Sequence, residues 1–272
     1  MKDMSKSKVL DCGRYIYLPR RRLAGYAIKF SPESLLKIGI LKEITEILTD
    51  NKVPILFLSL SRPSLGEPLD ALLFVDLTDS EISEHELRNE LNQVNYVADV
   101  KLIKPIFDGM LVDVYFEKLS MGSRRAVLFR EPLYSALIKE TVKRLGSGGF
   151  ALLYHIGVFM GKNVYKDYLK ILGKEDPESL IELGKAFFRM SGFGIFEIVY
   201  IDFERKEALL RVYDSFECSL YRNEKTPMSN LVRGIFAGWF SELLKNPEVK
   251  VAETRCIAMG DRYCEFLIKG KI

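Results

Sequence analysis

The stretch that most constrains this chain is Val249–Ile268, VKVAETRCIAMGDRYCEFLI, with Cys256 and Cys264 on either side of Met259-Gly260-Asp261. Gly260 can take a positive φ at no steric cost, and Asp261 is a common turn residue. The flanks have strand composition, so the segment reads as a β-hairpin. A three-residue loop, Met259–Asp261, sets the two cysteines directly opposite each other, with Cβ atoms ~5 Å apart. Thiolates at that separation can share one metal through ~2.3 Å bonds. A two-residue loop would move them to opposite faces.

Three of the four cysteines, Cys218, Cys256 and Cys264, fall in the last 55 residues, and Cys12 stands apart. No run approaches the ~20 apolar residues that span a bilayer, and the start, MKDMSKSKVLDCGRY, lacks an apolar signal region. A cytoplasmic location with reduced thiols is therefore expected. Clustered reduced cysteines suit a metal better than a disulfide framework. With Glu253 as the fourth ligand, Cys218, Glu253, Cys256 and Cys264 make a closed tetrahedral set for zinc. Residues i and i+3 of a regular strand face opposite ways, so Glu253 joins Cys256 only if the strand bulges or ends between them. Spacing alone leaves a second reading open, in which small buried cysteines simply fill a core.

Apolar residues make up 48% of the 272 positions and charged residues 28%, the balance of a globular chain. The net charge of +3 is too small to imply a nucleic-acid partner. It is unevenly placed: residues 1–22 hold seven Lys/Arg against two Asp and end in Arg20-Arg21-Arg22. Residues 1–22 read as a basic tail, to which any direct nucleic-acid contact would fall.

Leu23–Phe30 alternates as a strand, and Ser31-Pro32 opens an amphipathic helix over Pro32–Thr49 through Leu35, Ile38, Leu41, Ile44 and Leu48. Pro54–Leu60 and Asp70–Leu77 read as strands. Ser83-Glu84-His85-Glu86 is a capping box opening a helix through Leu87, Leu91 and Val94. Ala98–Ile106 is a fourth strand. This βαββαβ order is the split βαβ, ferredoxin-like plan. It resembles the ACT domain, a small regulatory fold that often binds amino acids, over residues 23–106. Where such domains carry Pro-Gly after the first strand, this chain has Pro32-Glu33.

Asp108-Gly109-Met110 marks the expected boundary between a domain at 23–108 and one at 109–272. Beyond it come strands at Leu111–Phe116 and Ala126–Arg130 and helices at Pro132–Leu145 and Phe150–Leu172. A third helix runs from Asp176-Pro177 to Met190. A strand pair follows at Ile195–Asp202 and Glu207–Ser215. A fourth helix, opened by Thr226-Pro227, runs through Phe236, Trp239 and Phe240 to Asn246-Pro247, and the hairpin closes the chain. Gly157 and Gly161, at i and i+4, make a bare helical strip and a candidate dimer surface.

Arg233-Gly234-Ile235-Phe236-Ala237-Gly238, then Glu253-Thr254-Arg255-Cys256 and Gly260-Asp261-Arg262-Tyr263-Cys264-Glu265-Phe266, resemble the C-terminal signature of the 4-vinyl-reductase domain. That family shares the fold of trafficking-complex subunits. It includes the sensory domains of bacterial phenol-responsive activators and many stand-alone archaeal proteins. The resemblance implies zinc on Cys218, Glu253, Cys256 and Cys264. It also implies a ligand-contacting histidine at His155, within Leu153-Tyr154-His155-Ile156-Gly157. The family's pocket tryptophan has no counterpart; Phe196, Tyr200, Phe236 and Trp239 are the candidates to line a cavity beside His155.

The fold class expected is α+β: an ACT-like module followed by a mixed helix and antiparallel-sheet, zinc-containing module. No Walker loop, GxSxG elbow, HExxH or GxGxxG motif is present, so a non-catalytic role is expected. The function expected is a zinc-containing, small-molecule-sensing regulatory protein that takes an apolar or aromatic ligand and forms a homodimer. The resemblance also allows a reductase acting on a tetrapyrrole vinyl group, or a scaffold like the trafficking subunits.

Overall fold

A computed structural model describes residues 8–271. It divides into two compact units, one ending at Val127 and one beginning at Leu128.

The first unit contains β1 (Tyr15–Tyr17), β2 (Leu23–Phe30), α1 (Ile40–Asp50), β3 (Ile55–Leu60) and β4 (Leu69–Asp76). It continues with α2 (Glu84–Leu91), β5 (Val97–Ile103), β6 (Met110–Val112) and the small hairpin β7 (Leu119–Met121) and β8 (Arg124–Ala126). Its main sheet has the order β3-β4-β2-β5 with every pair antiparallel, which is the strand order of the split βαβ plan. Ile44, Leu48, Leu87 and Leu91 from the two helices pack on Tyr26, Ile28, Leu73 and Val75 of one sheet face. The capping box at Ser83 is complete: its hydroxyl accepts from the Glu86 amide, and the Glu86 carboxylate accepts from the Ser83 amide.

The structure corrects three expectations here. The helix over Pro32–Thr49 is broken into a short 3-10 turn, Pro32–Leu36, and α1, with Gly39 at φ 100° between them. Ile38 and Leu41 fit the helical period but are exposed, and the buried stripe is Ile40, Ile44 and Leu48. Residues 1–22 are not wholly a tail, because β1 pairs antiparallel with β6 and Ile16 packs with Leu111 beneath Leu23 and Phe74. The Arg22 guanidinium donates to the carbonyls of Leu77, Ser80 and Ile82, and Arg21 pairs with Asp76 and Asp79. These two arginines are tied into the fold of the first unit; the part of the basic arm in residues 1–7 lies outside the described residues. For the same reason the first unit runs past the expected boundary at 108: β6 belongs with β1.

The second unit contains α3 (Glu131–Leu145), α4 (Ser147–Leu172), α5 (Pro177–Met190), β9 (Ile195–Asp202) and β10 (Glu207–Tyr213). It ends with α6 (Phe216–Ser219), α7 (Asn230–Leu243), β11 (Lys250–Arg255) and β12 (Cys264–Lys269). Its antiparallel sheet has the order β11-β12-β10-β9. Asp176 caps α5 by accepting from the Ser179 amide. The α4–α7 contact is unusually close. A Cβ on Gly157 would lie 2.3 Å from the Leu231 carbonyl oxygen, and one on Gly238 would lie 1.9 Å from that of Val158. The glycine strip of α4 is therefore filled by α7 of the same chain and is not a dimer surface. Phe236, Phe240, Phe266, Leu210 and Val212 form the core between α7 and the sheet.

Candidate functional site

Four side chains from three segments meet between the start of α7 and the sheet. β10 ends at Tyr213, and Ser215 then caps the single turn of α6 by accepting from the Cys218 amide. Cys218 thus sits on a helical turn just past the end of β10. β11 and β12 supply the rest. Their register shifts between Glu253 and Arg255, and the strand then ends, so Glu253 and Cys256 reach the same side. The connection is longer than a three-residue loop: it includes a 3-10 turn, Ile257–Met259, closed by Gly260 at φ 99°. The Cys256 amide donates to the Asp261 carboxylate at 2.8 Å, which holds the turn against β12.

Cys218, Cys256 and Cys264 are fully buried. The Cys218 Sγ lies 3.5 Å from that of Cys256 and 3.4 Å from that of Cys264. These separations exclude a disulfide, whose bond is ~2.05 Å. Sulfurs around one tetrahedral ion with ~2.3 Å bonds stand ~3.8 Å apart. With Glu253, the four ligand atoms all lie within 4.8 Å of one another. The donor set fits a metal ion.

The electrostatics say the same. Hydrogen bonds from Cys218 and then Cys264 hold the Cys256 thiol well below the usual thiol range, while Cys218 and Cys264 are pushed up. Burial, followed by the charge on Cys256, pushes the Glu253 carboxyl up to about 8. Without a cation the cluster can ionise only in part, and a cation would displace the remaining protons.

Two further residues hold the site, and neither was expected. Ser229 precedes α7, and its hydroxyl donates to Glu253 Oε1 at 2.8 Å while its amide donates to Oε2 at 3.1 Å. α7 begins at Asn230 rather than at Pro227, so Ser229 is its N-cap residue with the side chain turned to Glu253. Glu217 is fully buried and accepts from the amides of Leu231 and Val232 at 2.9 and 2.8 Å, which satisfies two orphan donors of α7. Burial pushes its carboxyl up to about 7.

A second feature is an aromatic cavity of about 120 Å³ between α4, α5, β9 and α7. Tyr168, Phe187, Phe188, Phe196, Phe236 and Trp239 are prominent in its wall. The Phe188, Phe196 and Phe236 rings pack with centroids 5.4–5.5 Å apart. Of the five candidates, Phe196, Phe236 and Trp239 line it, and His155 and Tyr200 do not. His155 is exposed on α4. The inward face of that helix carries Leu153 and Gly157, each two residues and roughly 200° away. Tyr200 is 42% exposed. The β9–β10 register shifts so that Tyr200 faces Leu209 while Ile198 faces Leu210. The shift breaks the alternation from Phe196 and turns Tyr200 outward.

The 4-vinyl-reductase domain family matches residues 209–270, which hold the whole Cys/Glu cluster and the cavity residues Phe236 and Trp239. Uncharacterized protein MJ0150 of Methanocaldococcus jannaschii is 31% identical over 132 residues, 48% of this chain and 71% of its own. Uncharacterized protein MJ1460 of the same organism is 26% identical over 61% of this chain and 94% of its own length. The phenol-responsive sensory domain of the transcription activator PoxR, solved with phenol, superposes with a TM-score of 0.51 at 20% identity, covering 56% of this chain and 80% of that domain. At that identity the likeness is one of fold. Among the described residues no helix is long and apolar enough to cross a membrane.

Proposed function

The chain belongs to the 4-vinyl-reductase domain family, and from that premise we propose that it is a non-catalytic small-molecule sensor with a zinc-clasped ligand domain. The observation that carries the proposal is the aromatic cavity of about 120 Å³ in the unit that holds the family match. Its volume is close to the ~150 Å³ of an apolar cavity that accepts benzene, so the ligand is a single-ring aromatic or an apolar group of that size. PoxR, whose sensory domain shares the fold, is phenol-responsive, which agrees with this size class.

Zinc is the metal assigned to Cys218, Glu253, Cys256 and Cys264. Three thiolates favour a soft ion, and four protein ligands leave no open position, so the role is structural. When bound, zinc supplies a cross-link and the charge that lets all three thiols ionise. The chain's own residues connect that clasp to the cavity. Glu217 and Ser229 hold the first turn of α7, and Phe236 and Trp239 on the same helix line the cavity. A ligand that shifts α7 is therefore felt at the clasp. We read the first unit, from its strand order, as an ACT-like regulatory module, and the protein as a cytoplasmic homodimer. Light scattering on the full chain tests the last point, and a monomeric mass would remove the dimer from this reading.

The test of sensing uses Trp239, the single tryptophan of the chain. Titration with phenol and toluene should give a saturable change in its fluorescence and raise the melting temperature. No saturable response to either would contradict the proposal.

A further inference from the structure

β11 is an edge of the second unit's sheet, paired with β12 on one side and with no strand of the described residues on the other. An edge strand presents a row of backbone N–H and C=O groups that a further strand can take up. Over Lys250–Glu253 the pairing with β12 keeps an unbroken register, so the outward groups of this stretch keep the spacing of a ladder. The opposite edge, β9, is interrupted by the register shift at Tyr200, a device that deters such pairing.

Charge separates this edge from an idle one. Lys250, Ala252, Thr254 and Arg255 are exposed, while Glu253, the one acid of β11, is turned inward to Ser229. The outward side of β11 is therefore positive. Lys250 also stands directly opposite Lys269 on β12, and like charges in that position destabilise a sheet. Lys269 reaches Glu207 at 3.5 Å and Lys271 reaches Glu248 at 3.0 Å, but Lys250 has no ion-pair partner among the described residues.

These side chains frame a groove of about 590 Å³. Ala252 and Leu267, also directly opposite each other, form its apolar floor, and Lys250, Lys269, Lys271 and Glu248 stand around it. An added strand would lay alternate side chains into this groove. The residue opposite Lys250 would meet a positive charge, and the one two places along would lie over Ala252 and Leu267. A lysine on an edge deters indiscriminate pairing, and the same charge favours a segment that brings a carboxylate. A second copy of the chain fits poorly: pairing β11 with itself about a two-fold axis sets Lys250 of one strand against Arg255 of the other.

We propose that the open edge of β11 binds an acidic, extended segment of a partner protein as an added strand, with a carboxylate at Lys250 and an apolar side chain two residues on, over Ala252. The inference does not rest on the aromatic cavity or its ligand. It gives the second unit a partner-binding surface joined to α7, because Glu253 on the same strand is held by Ser229 at the head of that helix.

The experiment titrates two end-blocked peptides into the isotope-labelled full chain. TETVTET sets glutamate and valine two residues apart on one face, and TKTVTKT carries lysine in place of glutamate. TETVTET should bind saturably, shift the amide resonances of Lys250–Thr254 and slow hydrogen exchange at alternate amides of β11, as strand addition requires. TKTVTKT should bind at least about tenfold more weakly. Lys250→Glu is an exposed change that places an acid opposite Lys269, so it should keep the wild-type melt and reverse the order of the two peptides. Equal affinity of the wild type for both peptides, or no binding of TETVTET at millimolar concentration, would overturn the proposal. Binding without slowed exchange along β11 would overturn strand addition. Oligothymidylate moving the same amides at lower concentration than TETVTET would make the groove a nucleic-acid site instead.

Discussion

The Ser229 hydroxyl donates to Glu253 Oε1 at 2.8 Å, and through this contact the first residue before α7 holds a carboxylate on β11. The same oxygen lies 2.8 Å from the Cys218 sulfur. With Cys264 Sγ 3.8 Å away, one small side chain thus touches three of the four candidate ligands, and the clasp and the helix that lines the cavity become a single mechanical unit.

Ser229→Ala should weaken the site without abolishing it. The Glu253 carboxylate would keep the Ser229 amide but lose its side-chain donor. Loss of such a partner typically costs 10–100-fold in metal affinity. Competition with a chromophoric chelator measures this, and affinity within twofold of the wild type would show that Ser229 does not position Glu253.

Gly238→Ala should destabilise the second unit, although alanine is the better helix former by ~1 kcal/mol. Its Cβ would fall 1.9 Å from the Val158 carbonyl oxygen, so α4 and α7 must separate. Overpacking of this kind costs about 1–3 kcal/mol. A thermal melt reads the loss; a rise in melting temperature would mean that the two helices do not cross this closely in solution.

The protein should unfold in mild alkali together with the ionisation of its buried phenols. Burial pushes Tyr165, Tyr168 and Tyr221 each up to about 12, above their ordinary 10. The folded state therefore keeps protons that the unfolded chain releases. The associated stability is fully present below pH 10 and is lost as pH rises from 10 to 12. Phenolate absorbance and circular dichroism should change together in that window. Full phenolate absorbance near pH 10 with the fold intact would contradict the burial of these rings.

How much of this was legible depends on whether the governing contact is local. The Ser83–Glu86 capping box and the Asp176 cap involve neighbours three apart, and both read directly from the chain. The bulge between Glu253 and Cys256 followed from alternation, since without it the two side chains face opposite ways. The break at Gly39 was hidden because Ile38 and Leu41 keep the helical period while pointing to water. Tyr200 was misplaced because the register shift that turns it is set by pairing with β10, which no count along β9 contains. Ser229 was missed for a similar reason: its partner is 24 residues away. The Ser229-Asn230 pair was the available signal, as serine is a strong N-cap residue.

Cys264→Ser should lose metal and stability together. Removing one ligand of a buried structural site falls in the exceptional class of losses, at least about 4 kcal/mol. At ~2–4 °C per kcal/mol for a domain of this size, the melting temperature should fall by about 8–16 °C. A melt unchanged from the wild type would mean that the three cysteines are ordinary core residues.

The central claim is that Cys218, Glu253, Cys256 and Cys264 form one metal clasp, and zinc stoichiometry under native conditions tests it most directly. Native mass spectrometry of the full chain, with acid-released zinc measured in parallel, should give one zinc per chain. Loss of that zinc to a strong chelator should lower the melting temperature of the wild type and leave that of Cys264→Ser unchanged. A folded wild-type chain with less than half an equivalent of zinc after growth in zinc-replete medium would contradict the account.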